Sequence, residues 1–466
     1  MLLKGKGMKI AFIISMVTST LLAGVIETNE GMFLEIFSYK NSTELVSKVP
    51  ISKGKIEKRN CYSTRNAEEW CKVTYSDNGM VINGYSEKKY LDTIEQAPNT
   101  KRTFEQTYGG KYDDVANDII ALEDGYLLVG ETQSFGEGNS DTYVIKVDKL
   151  GNKVFSVAYG GRNADVANAV VEMNDSFMIA GTTSSFGNRI QSMYLAKMAK
   201  NGNLMWQKAY YSDKDDYYSA NDLVKISEDN LLVAGSEDHV KFFNSEVNMY
   251  LNAIDTDGKR NGIKRYGGED PERANSIISV SDGYIIAGET DTWGHGRLDA
   301  YVIKIDKDGN RVWHNAFGFD DDETANQIIA TKDGGYIIVG TTNSHYKTQQ
   351  NVFVVKLNAN GDREWQSFYG SREADEGFGI VEAEDGYVVA GYTKGTDNYD
   401  SDVYVLKISK NGNVIWEKRY GSSKDDRANA IIKVEDGYVV AGYSTSVESY
   451  SKDVYLLKID ENGNIR

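Results

Sequence analysis

Beyond about residue 100 the chain is a succession of short apolar runs separated by polar turns rich in Gly, Asn and Asp. None of the runs shows the i, i+3, i+4 recurrence of an amphipathic helix, and their length and flanking turn residues are those of strands. They recur in a fixed order. Aligned on an apolar strand that ends in glycine, the copies read "GYLLVGET", "SFMIAGTT", "NLLVAGSE", "GYIIAGET", "GYIIVGTT", "GYVVAGYT" and "GYVVAGYS". Their glycines are Gly130, Gly181, Gly235, Gly288, Gly340, Gly391 and Gly442, at intervals of 51, 54, 53, 52, 51 and 51 residues. Each repeat holds an inner strand such as "ANQII", the glycine-ended strand and a variable loop. A third strand such as "DAYVIKID", a hairpin and an outer strand such as "RVWHNAFG" complete it. A unit of four strands cannot bury both its faces alone, so the copies must pack side by side. Four-stranded antiparallel units repeated radially form a β-propeller. The expected fold is all-β, with a seven-bladed β-propeller over residues 102–466.

The hairpin between third and outer strands includes "DKDGN", which begins like a calcium loop. Its counterparts are "DKLGN", "AKNGN", "DTDGK", "NANGD", "SKNGN" and "DENGN", in which only the glycine is constant. A helix-loop-helix calcium site needs Gly at the sixth position and Glu at the twelfth. Here Gly is fourth and strands flank it. Asn-Gly and Asp-Gly are hairpin dipeptides because both residues tolerate positive φ. The last copy stops at "DENGNIR", without an outer strand, whereas "RTFEQTYGG" near residue 102 is an outer strand without a copy. Its Phe104 aligns with Phe155, Trp206, Trp313, Trp365 and Trp416. Residues 102–108 are therefore expected to complete blade seven and close the ring, leaving no open edge.

Charge and cysteine change the picture at the N-terminal end. Residues 1–100 carry 13 Lys+Arg against 11 Asp+Glu, so the net −17 of the whole chain rests on a remainder of net −19. An acidic domain of this kind repels nucleic acid and anionic headgroups, so neither is an expected partner. "MLLKGKGMK" followed by "IAFIISMVTSTLLAG" has the order of a secretory signal, and residues 1–24 are assigned to it. Met8 offers an alternative start, and cleavage is expected near Ala23 or Gly24. An uncleaved signal would instead anchor the chain in a membrane. The expected location is periplasmic or extracellular. In an exported protein the isolated pair Cys61 and Cys71 is most simply a disulfide, which would support a small domain with a thin core.

Two resemblances follow from these residues. The pattern Gly-Asn-x-x-Trp-x-x-x-Tyr-Gly-Gly, followed by Asp and Ala-Asn, resembles the β-propeller repeats of many secreted bacterial and archaeal proteins. That resemblance implies an extracytoplasmic scaffold. "EEWCKVTYSDNGMVINGYSEKKYL" resembles the end of a bacterial Src-homology-3-type domain, through Trp70, Gly84-Tyr85 and Lys89-Tyr90-Leu91. It implies a small β-barrel over residues 31–93 that binds peptidoglycan or its stem peptides, with 94–101 as linker. The earlier half lacks the Asn-Val-Arg segment frequent in that family.

Candidate chemistry is sparse. No P-loop, Gly-x-Ser-x-Gly or His-Glu-x-x-His occurs. An acid precedes the inner-strand Asn by three residues: Asp114, Asp165, Glu272, Glu323, Asp375 and Asp426, with Tyr218 in blade three. A residue at one place in nearly every blade is explained by the blade, and capping the turn into the inner strand fits. The same reading covers Asn117, Asn168, Asn221, Asn275, Asn326 and Asn429. It also covers Lys146, Lys197, Lys304, Lys356, Lys407 and Lys458. Function should break the symmetry. The loops joining second and third strands vary, and each carries an aromatic: Phe135, Phe186, Phe242 with Phe243, Trp293, Tyr346, Tyr399 and Tyr450. Partner binding is assigned to Phe242, Phe243, Trp293, Tyr346 and Tyr399. His239, His295 and His345 share those loops and are the weak candidates for a zinc site. Blade three, with Gly262 for the outer aromatic and Ala253 for the lysine, is the irregular one.

These features point to a non-enzymatic binding or scaffold protein of the cell envelope. It would act as a monomer without a cofactor, its propeller face holding a protein or glycan. The alternatives are an outer-membrane protein assembly factor and a quinone-dependent dehydrogenase. "IDKDGNRVW" resembles the Asp-x-x-x-Gly-x-x-x-Trp motif of propellers that hold pyrroloquinoline quinone, but those have eight blades.

Overall fold

A computed structural model describes residues 103–465, except for loop residues 188–189, 212–215, 240–245, 269, 347–348 and 395–399, together with six strands between Val25 and Glu87. Only the backbone is described for those six strands and for residues 246, 345, 346 and 349. The chain divides into two units, Met1–Lys101 and Arg102–Arg466. In the first, β1 (Val25–Thr28), β2 (Gly31–Phe37), β3 (Leu45–Pro50), β4 (Lys55–Ser63), β5 (Glu69–Asp77) and β6 (Met80–Glu87) form one sheet. Its order is β1-β2-β6-β5-β4, with β3 on β2. The register sets Cys61 opposite Cys71. The disulfide itself, the signal over 1–24 and the linker over 94–101 lie outside the described residues.

The second unit is all strand among its described residues, and none of its elements is a helix long and apolar enough to cross a membrane. It forms seven four-stranded antiparallel sheets. Blade one is β8 (Asp114–Leu122), β9 (Gly125–Thr132), β10 (Asp141–Asp148) and β11 (Lys153–Tyr159), running from the axis outward. The other blades repeat it. Blade seven takes its outer strand from β7 (Phe104–Tyr108), which pairs with Lys452–Ile459 from Val454↔Tyr108 to Lys458↔Phe104. The expected closure of the ring is present.

The core lies between blades rather than within them. Seven buried clusters each straddle two consecutive blades. One sets Leu128 and Ile145 of blade one against Val439 and Leu456 of blade seven. A sheet with two apolar faces is stable only when both neighbours are in place.

Three recurrent polar links tie the blades together. Every inner strand has a one-residue bulge, between Ala116 and Asp118 in blade one and between Ala167 and Ala169 in blade two. The bulged residue is the recurrent Asn. Left out of the ladder, it donates its side-chain N–H to the next blade's carbonyl: Asn117 to Ala167 at 2.9 Å, Asn168 to Ala220 at 2.8 Å, and Asn429 across the closure to Ala116 at 2.8 Å. In place of the expected turn cap, these asparagines form an inter-blade belt. Phe378 fills the bulge position of blade six. The residue after the bulge accepts the next blade's N–H: Asp118 from Val170 at 2.9 Å and Asp222 from Ile277 at 2.8 Å. Burial pushes Asp118 up to about 7 and Asp222 to about 6, and both are committed to backbone. Within the blades, five of the third-strand lysines pair with the Asp of their own first turn, as Lys304 with Asp282 at 2.9 Å and Lys407 with Asp385 at 2.7 Å.

The third link explains the "DKDGN" stretch. Asp306 accepts from the N–H groups of Asp308 and Asn310 at 2.9 and 2.8 Å, and Gly309 has φ +73°. The stretch is a hairpin organised by its own first carboxylate. Glycine is demanded twice. Besides its φ of +84°, a Cβ on Gly361 would lie 2.8 Å from the Trp313 ring of the preceding blade. The hairpin glycine's carbonyl accepts from the outer-strand Tyr of that blade, as Tyr369 to Gly412 and Tyr210 to Gly258, both at 2.7 Å. Blade four has Phe317 in place of the Tyr, and Asn315 donates to Gly361 at 2.9 Å instead. Asn315→Ala is expected to cost about 1 kcal/mol in urea unfolding. Adding Phe317→Tyr should recover most of it; absence of either effect would show that the link is not what orders this junction.

Candidate functional site

At the end of the blades that carries the variable loops, six blades share one polar anchor. In blade two Asp165 accepts from Gly161 N–H at 2.7 Å, from Ser185 Oγ at 2.6 Å and from the Thr183 hydroxyl. Glu323 repeats this with Phe319 N–H at 2.7 Å and Thr342 Oγ1 at 2.5 Å. Asp114, Glu272, Asp375 and Asp426 hold the same turn. The expected cap is present. Each acid fixes the connection between blades, and one buried oxygen each of Asp114, Asp375 and Asp426 has no hydrogen-bond partner among the described residues.

Blade three inverts the anchor. Tyr218 occupies the acid's position on the inner strand, and Glu237 occupies the position taken by Thr183 or Thr342 on the second. The pair Tyr218↔Glu237 lies directly across the two strands, two residues from Asp216↔His239, so the four side chains share one face. The Tyr218 hydroxyl donates to Glu237. Arg265, on the outer strand, donates to both Glu237 oxygens, one of them at 2.9 Å. His239 stands between two carboxylates, with Nδ1 2.9 Å from Asp216 and Nε2 3.5 Å from Glu237. Glu237 is only 1% exposed, whereas Arg265 is 48% exposed. Burial works to raise the Glu237 pKa, but the bonds from Arg265 and Tyr218 prevail and hold it below the usual range. The same partner raises Arg265.

Asp216, Glu237 and His239 hold ligand atoms within 4.8 Å of one another. The donor types suit a divalent cation, yet Glu237 already spends its oxygens on Arg265 and Tyr218. A cation would have to displace the guanidinium, so the constellation fits an ion-pair network better than a metal site. No metal was assigned from the sequence, and of the three weak candidate histidines the described residues place two at separate sites. His239 belongs to this network, His295 lines a groove in blade four, and the His345 side chain lies outside them.

Blade four carries that groove, of about 570 Å³ and mostly polar in lining. Trp293 stacks on Tyr301 of its own blade, with centroids 5.1 Å apart and planes at 14°. It is half-buried, as Phe186 is, whereas Phe135 is 42% exposed although its ring lies 5.6 Å from that of Tyr143. These loop aromatics pack against their own blades. His314 meets the Trp293 ring edge-on at 4.7 Å, and its Nδ1 has no hydrogen-bond partner among the described residues. Asp299 accepts from the backbone N–H groups of His295 and Gly296 through Oδ2, while its buried Oδ1 has no hydrogen-bond partner among the described residues. Of the other predicted partner residues, Phe242, Phe243 and Tyr399 lie outside the described residues, as does the side chain of Tyr346.

Arg265, Glu237, Asp216, Asp299 and His314 escape a reading along the chain. The signal is visible only down the repeats. Glu237 stands in a column of Thr and Ser, and His314 stands in a column that holds Gln207, Glu417 and Glu105.

A family described as a domain of unknown function (DUF5122) beta-propeller matches residues 331–363. The regulatory protein FlaEY of Caulobacter vibrioides is 23% identical over 186 residues, which cover 34% of this chain and 19% of that protein. The chain thus spans about a fifth of the length of that curated relative. Among solved structures, a mutant apocarotenoid oxygenase of Synechocystis aligns with a TM-score of 0.40 and 9% identity, over 78% of this chain and 86% of its own. An endosialidase of phage phi92 aligns at 0.44 and 8%, over 77% and 69%. Likenesses of this degree carry no argument about activity. The seven sheets and the matched family together make residues 102–466 a β-propeller domain.

Proposed function

We propose that this chain is an exported, non-enzymatic binding protein of the cell envelope, with the loop face of blades three and four as its partner surface. Residues 31–93 would be a Src-homology-3-type module that contacts the cell wall. The observation that carries this reading is the inverted anchor of blade three. Six blades keep a carboxylate and a hydroxyl in the same places, and blade three exchanges them, adds His239, and bonds the exchanged carboxylate to Arg265, whose register position Arg419 shares in blade six. A repeat needs no such exchange to fold, whereas a binding surface needs a sector unlike the others. The neighbouring blade breaks the pattern too, through Trp293 and His314.

The test is crosslinked retention of envelope partners by purified full-length protein. Trp293→Ala with His239→Ala should weaken retention by about 2 kcal/mol or more if these are anchors, measured at a temperature where melting shows the variant still folded. Unchanged retention at unchanged melting would move the partner surface to the opposite face or to the first unit.

A further inference from the structure

We infer that the groove on blade four is a glycan-binding subsite that takes a neutral, hydroxyl-rich sugar ring, an assignment that rests on the partner surface proposed above. Blades two, six and seven close the equivalent place internally. There the third-strand Tyr donates to an outer-strand side chain: Tyr194 to Gln207 at 2.8 Å, Tyr404 to Glu417 at 2.5 Å and Tyr455 to Glu105 at 2.6 Å. In blade four His314 occupies that column and turns edge-on to Tyr301, with centroids 5.7 Å apart. The result is a groove bounded by Trp293, Asp299, His314 and Arg363.

Its chemistry selects the ligand class. Asp299 is 2% exposed, and among the described residues neither its Oδ1 nor His314 Nδ1 has a hydrogen-bond partner. Buried polar atoms without partners favour a ligand that supplies them. Burial and the nearby Arg311 charge lower the His314 pKa, so at neutral pH the ring is uncharged and offers an acceptor nitrogen. A carboxylate on one wall and the Arg363 guanidinium on another disfavour ligands of either net charge, whereas hydroxyl groups can donate to the first and accept from the second. An indole gives the apolar face of a sugar ring a surface to lie on. The volume is in the range of small-ligand sites.

The cleanest variant is Trp293→Phe with His314→Gln, which gives blade four the residues of blade two, Phe186 and Gln207, and so should keep the fold. The readout is saturation-transfer NMR on the full chain with methyl β-D-glucopyranoside, methyl N-acetyl-β-D-glucosaminide and tetra-alanine as probes. Transfer to a sugar in the native protein, weakened about tenfold or more in the variant, is expected; that is about 1.4 kcal/mol. Transfer to neither sugar, or transfer the variant leaves unchanged, overturns the assignment. Transfer to the peptide alone also overturns it, in favour of a peptide groove. If sugars fail to bind while Trp293→Ala with His239→Ala still loses its envelope partner, only the glycan assignment falls. If the partner is retained while sugar binding is lost in Trp293→Phe with His314→Gln, the broader reading falls and the subsite stands.

Discussion

Deleting residues 102–108 is expected to destabilise the whole propeller, by about 5 kcal/mol or more, rather than loosen one edge. Three losses combine. The third strand of blade seven loses its ladder with β7 over five paired residues. Phe104 leaves the cluster shared by blades seven and one, and its ring no longer packs against the Gly151 hairpin. Tyr108, 8% exposed, takes away both its buried ring and its bond to the Gly151 carbonyl at 2.5 Å. Truncating one such aromatic costs about 3–5 kcal/mol, comparable with the net stability of many domains. Because each core is shared by two blades, the loss spreads around the ring. Calorimetry checks it, and a synthetic peptide of residues 102–108 added in trans should return part of the lost stability. Melting within a degree or two of the intact chain would show that closure is made elsewhere.

Arg265→Ala is expected to cost about 2–3 kcal/mol at neutral pH, and the cost should depend on pH. Removing one partner of a buried pair costs about 3–5 kcal/mol, and the cost is smaller here because Arg265 is itself half exposed. Glu237, 1% exposed in the native fold, keeps Tyr218 and His239 as its remaining partners. The sign follows from its lowered pKa in the native fold. A depressed carboxylate contributes stability above its unfolded value, near 4.3, and loses it as pH falls through the folded value. Without the guanidinium that contribution disappears, and burial favours the protonated acid instead. The variant should therefore be most handicapped at neutral pH and approach the native protein near pH 4. Urea unfolding at the two pH values measures this. Glu237→Gln in the Arg265→Ala background should recover part of the loss at neutral pH. A penalty that is equal at both pH values, or below about 0.5 kcal/mol, would mean that Glu237 does not depend on Arg265.

Most of the propeller is legible in the chain because its determinants are local and repeated seven times. The glycine-ended strands fix the period, the Gly309 hairpin declares itself by turn chemistry, and Phe104 marks the orphan outer strand. Repetition averages out the ambiguity of any single short apolar run. What only the tertiary structure decided is where the recurrent polar residues spend their hydrogen bonds. Asn117 is a ladder bulge that reaches the next blade, 50 residues away, and no spacing along the chain distinguishes that from a cap within its own blade. The blade-three network is of the same kind. Tyr218, Glu237 and Arg265 are ordinary residues in sequence, and they become a site because three strands of one sheet bring them to one end and bury the carboxylate between a hydroxyl and a guanidinium. A strand's own residues settle its pairing and its faces. The solvation of a charge depends on everything that surrounds it, and that is known only once the sheet is closed.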